Sequence, residues 1–445
     1  MTHDESQEAE PVPRGLGLAT LPRRFLLFYT FLYMLPFPLD MLGVVTAIPG
    51  LESSGLASAL QWIAGLHAKL TGPIVQALGQ WLTGQVISLE QTGSGDGLAG
   101  YFDVLVDGGL ALFLALAWWA WRRATPVSAG VAELNRVFLR YYLFTAMVGY
   151  GLVKLIPGGQ FPPLGPDRLV VPYGDSSPMG LLWNFMGASA GYQMFCGAAE
   201  VAGGVLLLFR RTTLLGSLVT AAAMANVFVL NLCYDVPVKL YSFHLLFFAL
   251  VLAAPDGGRL LALFVTNKPV PARDQGVFCA SSPKLRRACL VVKALFVPLF
   301  FAQMIGGTVS YLQGRQEALE NPLRGVYQVE SYVVVNPQSS GTDAKDWLRV
   351  GLTPSSSLTI LRADGSTSRL RMRLDMENSK LKLYERGAPE PDEYALQFAL
   401  SDENQLQIEG EFEGRQIVVQ LRRDDRESLL NSRGFHWINE TPFNR

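Results

Sequence analysis

Two patterns of apolar and polar positions divide the chain. Between residues 20 and 315, apolar stretches alternate with short polar loops, whereas charges occur throughout 320–445. A membrane-crossing helix needs roughly 20 mostly apolar residues. The first region predicts seven such spans, at 23–48, 100–121, 138–157, 189–209, 212–233, 238–254 and 288–312. The PFP triplet at 36–38 predicts a kink or an end in the first of them. Segment 56–90 differs, because its apolar residues recur at helical spacing between Gln, His, Lys and Gly. It predicts one or two interfacial helices lying on the membrane, with a re-entrant pair as the alternative. Residues 257–265 predict a further short surface helix.

The second region, 322–445, shows period-2 alternation with turn signals at ADGS, MENS, SDENQ and EGR. Candidate strands lie at 325–335, 346–353, 357–362, 368–375, 379–385, 393–400, 404–410 and 415–422, with a last one at 433–438. Short, evenly spaced strands suggest a meander closed into a small antiparallel β-barrel, which leaves no exposed edge. Its opening, LRGVYQVESYVV, resembles the first strand of lipocalin-like or fatty-acid-binding-like barrels. The aromatic end of the chain, with Phe435, Trp437 and Phe443, either plugs the barrel or docks on the membrane, or else forms a lid or binding surface.

Composition agrees with a membrane protein. Of the 445 residues 49% are hydrophobic and only 17% charged, against about 25% charged in soluble domains. A net charge of −1 and the lack of a long Lys/Arg block exclude a nucleic-acid partner. Arg14, Arg23, Arg24, Arg122, Arg123, Arg136, Arg140, Arg210, Arg211 and the cluster from Arg259 to Arg287 all fall on one side of a seven-span layout. The opposite loops carry only Lys69, Arg168 and Lys239. The charge rule therefore makes the N-terminus cytoplasmic and the C-terminal domain extracytoplasmic, periplasmic in a Gram-negative bacterium. Residues 1–20, acidic and rich in Pro and Gly, read as a disordered cytoplasmic tail, leaving 21–315 as the membrane domain. The four cysteines have no metal-ligand spacing and read as buried thiols.

Ionisable groups at membrane depth are functional suspects. Glu200 lies mid-span, and Lys154, near the outer end of the preceding span, is its nearest candidate partner. His244 sits about two turns into the sixth span, as a structural histidine or a proton-handling group. Asn226 and Asn231 of the fifth span either join helices or contact a cofactor. Arg168 belongs to a long, Pro-rich outer loop that forms a lid, a docking surface or a rigid pad against the barrel. His67 and His244 both lie toward the outer face. Asp235 and Lys239, beside the turn at Pro237, read as the wet end of a helical hairpin. GSGDG at 93–97 reads as a plain loop. No P-loop, dinucleotide fingerprint, HExxH or GxSxG occurs.

GYGLVKL, followed by AAEVAGGVLLLFRRTTLLGSLVTAAAM, resembles the DoxX family of small membrane proteins. There a span ending near a Lys precedes a Glu–small–Gly–Gly span, a Thr-bearing cytoplasmic turn and two more spans. The resemblance covers about 138–255. Some members are subunits of thiosulfate:quinone oxidoreductases and others are linked to redox homeostasis, so the resemblance implies a quinone-linked redox role. The layout of a helical bundle before an extracytoplasmic β domain is similar to the group of vitamin-K-dependent carboxylase and lipase maturation factor, but no catalytic motif carries over. Two readings follow: a quinone-linked electron-transfer module in which Glu200, His244 and Lys154 handle protons, or a non-enzymatic platform presenting a lipid- or partner-binding barrel.

Overall fold

The computed structural model describes residues 20–39, 41, 55–90, 92–122, 125–272, 282–335, 346–354, 357–385, 393–402, 404–426, 428–434 and 436–442. The expected tail up to residue 19, the end of the expected first span, and Arg14, Arg123, Arg273, Phe435 and Phe443 lie outside them. The chain divides into two compact units, one of 1–152 with 196–305 and one of 153–195 with 306–445.

The first unit is helical. Its elements are α1 (Leu21–Met34), α2 (Gly55–Ala64), α3 (Leu66–Thr83), α4 (Leu98–Trp121), the greater part of α5 (Ala129–Leu155) and most of α8 (Ala190–Leu207). It continues with α9 (Thr213–Cys233), α10 (Lys239–Ala253), α11 (Gly257–Phe264) and the first part of α12 (Pro283–Glu320). Among the described residues, four stretches are long and apolar enough to cross a membrane: Leu98–Trp121, Arg210–Cys233, Lys239–Phe264 and Arg286–Glu320. Protein covers little of the last, where Leu290, Val292 and Leu295 are 60%, 65% and 67% exposed, so its apolar surface is available to lipid. Helix α1 stops at Met34, and turns occupy Leu35–Pro38. Pro36 and Pro38 lack the N–H that would continue the ladder. The 56–90 segment forms two consecutive helices that break at Gly65, and α3 ends on Gly84 in the left-handed region, where glycine costs least. Among the described residues, the free thiols Cys196, half-buried, and Cys233, exposed, are not the fully buried ones expected.

The basic residues gather at the helix ends. Arg24 of α1, fully buried, donates through Nη2 to the carbonyl of Arg122 at 2.8 Å and to that of Thr125, beyond the end of α4. Its guanidinium lies 4.9 Å from the Trp118 ring centre. Arg140 Nε donates to the Leu207 carbonyl at 2.9 Å, and Lys293 Nζ to that of Leu208 at 2.9 Å. The last carbonyls of a helix have no internal partner, and these cations satisfy them.

The second unit is a closed barrel of eight antiparallel strands in sequence order. They are β1 (Gly325–Val334), β2 (Trp347–Thr353), β3 (Ser357–Arg362), β4 (Thr367–Asp375), β5 (Lys380–Tyr384), β6 (Glu393–Asp402), β7 (Gln405–Phe412) and β8 (Arg415–Arg423). Tyr327 of β1 pairs with Val350 on one side and Arg423 of β8 on the other. Alternation sets the faces: Leu381 and Leu383 of β5 point in while Lys380 and Lys382 point out. Leu406 and Ile408 of β7 and Ile417, Val419 and Leu421 of β8 also point in. Eight strands leave an interior that side chains can fill, and Trp347, Tyr327 and the aliphatic residues of all eight form one cluster. The ring of Trp347 meets that of Phe412 edge-on at 5.3 Å. The expected ninth strand at 433–438 does not form: β1 and β8 already pair, so no edge remains. The only element after β8 among the described residues is a single turn, Leu429–Ser432. Trp437 is 87% exposed and does not plug the barrel.

Of the three options for the long Pro-rich loop, it packs against the barrel. It carries the one-turn helix α6 (Pro166–Leu169) and α7 (Pro178–Gly187), the latter capped by Ser177 Oγ accepting from Gly180 N at 3.1 Å. Asp167, 5% exposed, accepts from Thr353 Oγ1 at 2.9 Å, Ser357 Oγ at 3.0 Å and Arg369 Nη2 at 2.5 Å. The loop backbone lies so close that a Cβ on Gly351 would stand 2.2 Å from the Pro166 oxygen. Asp167→Ala would leave a guanidinium and two hydroxyls without their acceptor. It is expected to cost about 2–4 kcal/mol, read as faster hydrogen exchange in β2–β4 of the full chain.

At the barrel seam, Asp424 accepts from both Arg426 and Gln328 and pairs with Arg349 at 3.2 Å. Hydrogen bonds, first from Arg426, hold its carboxyl well below the usual carboxylate range despite burial. A depressed carboxyl stabilises the fold above its unfolded value of about 4, and that stability is lost as pH falls toward the folded value. The barrel is therefore expected to melt earlier as pH drops below about 4, and Asp424→Asn to flatten that acid limb in pH-dependent melting curves.

Candidate functional site

The polar centre of the helical unit is built from α1, α3, α4 and α10. Tyr29 and Tyr33 stand four residues apart on α1 and so share a face. His244 of α10 is 2% exposed. Its Nδ1 lies 2.7 Å from the Leu240 carbonyl and its Nε2 2.6 Å from Tyr29 Oη. A carbonyl only accepts, so Nδ1 carries a proton; in the neutral ring Nε2 accepts from the tyrosine hydroxyl. The Tyr33 ring stacks on the imidazole at 3.9 Å and 13°. Phe243 and Phe248 present edges to the same ring at 5.5 and 5.9 Å.

A second pair adjoins the first. Asp107, mid-way along α4 and 4% exposed, accepts from or shares a proton with His67 Nε2 of α3 at 3.0 Å. One turn earlier Asp103 accepts from Thr71 Oγ1 at 3.4 Å. Ala111, one turn beyond Asp107, packs in the same core cluster as Tyr29, Leu245 and Phe248. Each of the two histidines thus has its own oxygen partner within the helical unit. Such groups can hold a proton, pass it between a phenol and an imidazole, and offer a hydrogen bond to a carbonyl or hydroxyl.

The loop at 93–97 anchors this arrangement. Asp96 accepts from the backbone N–H of Lys239 at 2.8 Å and of Leu240 at 2.9 Å, while Gly95 N donates to the Pro237 carbonyl at 2.8 Å. The carboxylate caps the positive end of α10 and ties it to the start of α4. Lys239 Nζ pairs with Asp235 at 2.9 Å and Asp96 at 3.5 Å.

The sequence candidates differ in burial. Asn231 Nδ2 donates to Ser242 Oγ at 3.0 Å and joins α9 to α10, the helix-joining role, whereas Asn226 is exposed. Glu200 is 3% exposed on α8. The glycines after it serve packing: a Cβ on Gly203 would stand 2.9 Å from Thr220 Oγ1 of α9, and one on Gly204 2.8 Å from Val148 of α5. Lys154, 7% exposed, and Arg168, half-buried on α6, belong to the barrel unit, while Glu200, His244, Asn226 and Asn231 belong to the helical one. Sequence reasoning missed Tyr29, Tyr33, Asp103, Asp107 and Asp96. The two carboxylates of YFDVLVDGGLALF, four residues apart in an apolar span, were the available signal.

No family model and no solved structure matches the chain. It is similar to the uncharacterized protein YwoB of Bacillus subtilis (strain 168), with 30% identity over 152 residues. The match takes in 34% of this chain and 93% of that protein, whose printed name assigns no activity. With nearly the whole length of that relative matched at this identity, the chain belongs to the family of YwoB.

Proposed function

We propose that the helical unit is a quinone-linked proton-transfer module of a membrane redox system. The observation that carries this reading is the 2.6 Å contact between Tyr29 Oη and His244 Nε2 inside an aromatic cage. Interconversion of quinone and quinol moves two protons with two electrons. A buried phenol–imidazole pair can deliver or take up such protons at a quinone oxygen, while a redox partner exchanges the electrons. Asp107–His67 and the buried Glu200 supply further proton-holding groups in the same unit. The DoxX-like resemblance of 138–255 points the same way.

In this reading the chain is a multi-pass membrane protein with seven crossings, a cytoplasmic N-terminus and an extracytoplasmic barrel. The convergence of Arg24, Arg140 and Lys293 on the ends of α4 and α8 supports the charge asymmetry. A second reading, a platform that presents the barrel to a partner, draws on the exposed end of the chain, where Leu429, Trp437 and Ile438 are 59%, 87% and 75% exposed. The filled barrel interior speaks against a lipid held inside it.

Purified full-length protein is expected to carry quinone in solvent extracts. Tyr29→Phe and His244→Gln are each expected to lower its occupancy about tenfold, the worth of one hydrogen bond. Unchanged quinone content and unchanged quinone redox kinetics in both variants would sink the redox reading. For the topology, single cysteines at Ala363 and Gly258 in a cysteine-free background should label differently in intact cells. An impermeant maleimide is expected to reach position 363 directly and position 258 only after permeabilisation; the reverse order refutes the orientation.

A further inference from the structure

Two concavities meet at the basic end of the helical unit. The larger, about 810 Å³, is lined by Arg136, Arg210, Arg211, Arg259 and Lys293, with Asp256 as the single acid among the described residues. The second, about 570 Å³, is mainly apolar and includes Val137, Phe138, Tyr141, Leu290, Val292 and Phe296. Leu208, Arg210 and Lys293 line both. We propose that this pair of pockets binds one anionic phospholipid, its phosphate among the cations and an acyl chain along the apolar cleft.

Charge, fixation and position support the assignment. Asp256 binds Arg259 at 2.7 Å and offsets one cation, so positive charge dominates the larger pocket. Lys293 is already positioned, with Nζ on the Leu208 carbonyl at 2.9 Å and 5.3 Å from the Phe209 ring centre. Basic pockets between membrane helices on the cytoplasmic side suit anionic headgroups. Loop arginines that only orient a membrane protein need no concavity, and these line one. The apolar cleft selects a lipid over free phosphate. Leu290 and Val292, 60% and 65% exposed, lie near the start of the candidate span Arg286–Glu320, where acyl chains begin beneath their headgroups. This assignment is independent of the quinone reading.

Full-length protein in neutral detergent, titrated with phosphatidylglycerol, phosphatidylcholine or inorganic phosphate and followed by native mass spectrometry, tests it. The expected result is one phosphatidylglycerol retained per chain, with phosphatidylcholine lost and millimolar phosphate unable to displace the lipid. Arg210→Gln with Lys293→Gln should weaken retention about 30-fold, as two surface cations imply. Lys293→Arg should keep it, which guards against simple misfolding of the double variant. Val292→Gln should weaken the lipid and leave any phosphate adduct unchanged. Equal retention of the two lipids, full displacement by phosphate, or an unaffected double variant would overturn the proposal.

Discussion

Inside an apolar helical unit no water is at hand, so each buried polar atom must find a partner on a neighbouring helix or cost several kcal/mol. That constraint organises the first unit. Arg24 reaches carbonyls beyond α4, Thr30 Oγ1 donates to Asn135 Oδ1 at 2.9 Å, and Asn231 takes Ser242. Tyr29 meets His244 and Asp107 meets His67 under the same pressure. The candidate site is therefore also a set of struts, its polar contacts falling where helix pairing demands them.

The division into an apolar helical region and a β region was legible in the sequence, because periodicity reports directly which face is buried. Eight of the nine expected strands formed close to the expected bounds. The ninth, at 433–438, had the composition of a strand but no edge to join, and edge availability is a property of closure rather than of local sequence. Helix α1 shows the converse: the PFP triplet announced its end, and α1 stops just before it.

The site was only half legible. His244 stood out as an ionisable group in an apolar run, but its partner Tyr29 is 215 positions away and tyrosine is common in membrane helices. Asp107 carried the same signal as Glu200 and was overlooked. Asp96 sat in a segment that reads as a plain loop, and only the fold shows it closing on the N-terminus of α10. Glu200 and Lys154 are assigned to different compact units, 196–305 belonging with 1–152 and 153–195 with 306–445.

The grip of Asp167 on Arg369 spans 202 residues of chain. Synthesis runs from the N-terminus, so the carboxylate is made long before the strands that will surround it. Closing so large a loop carries an entropic cost that rises only slowly with its length, but the wait is unavoidable. The β strands thus assemble around a docking segment that is made before them.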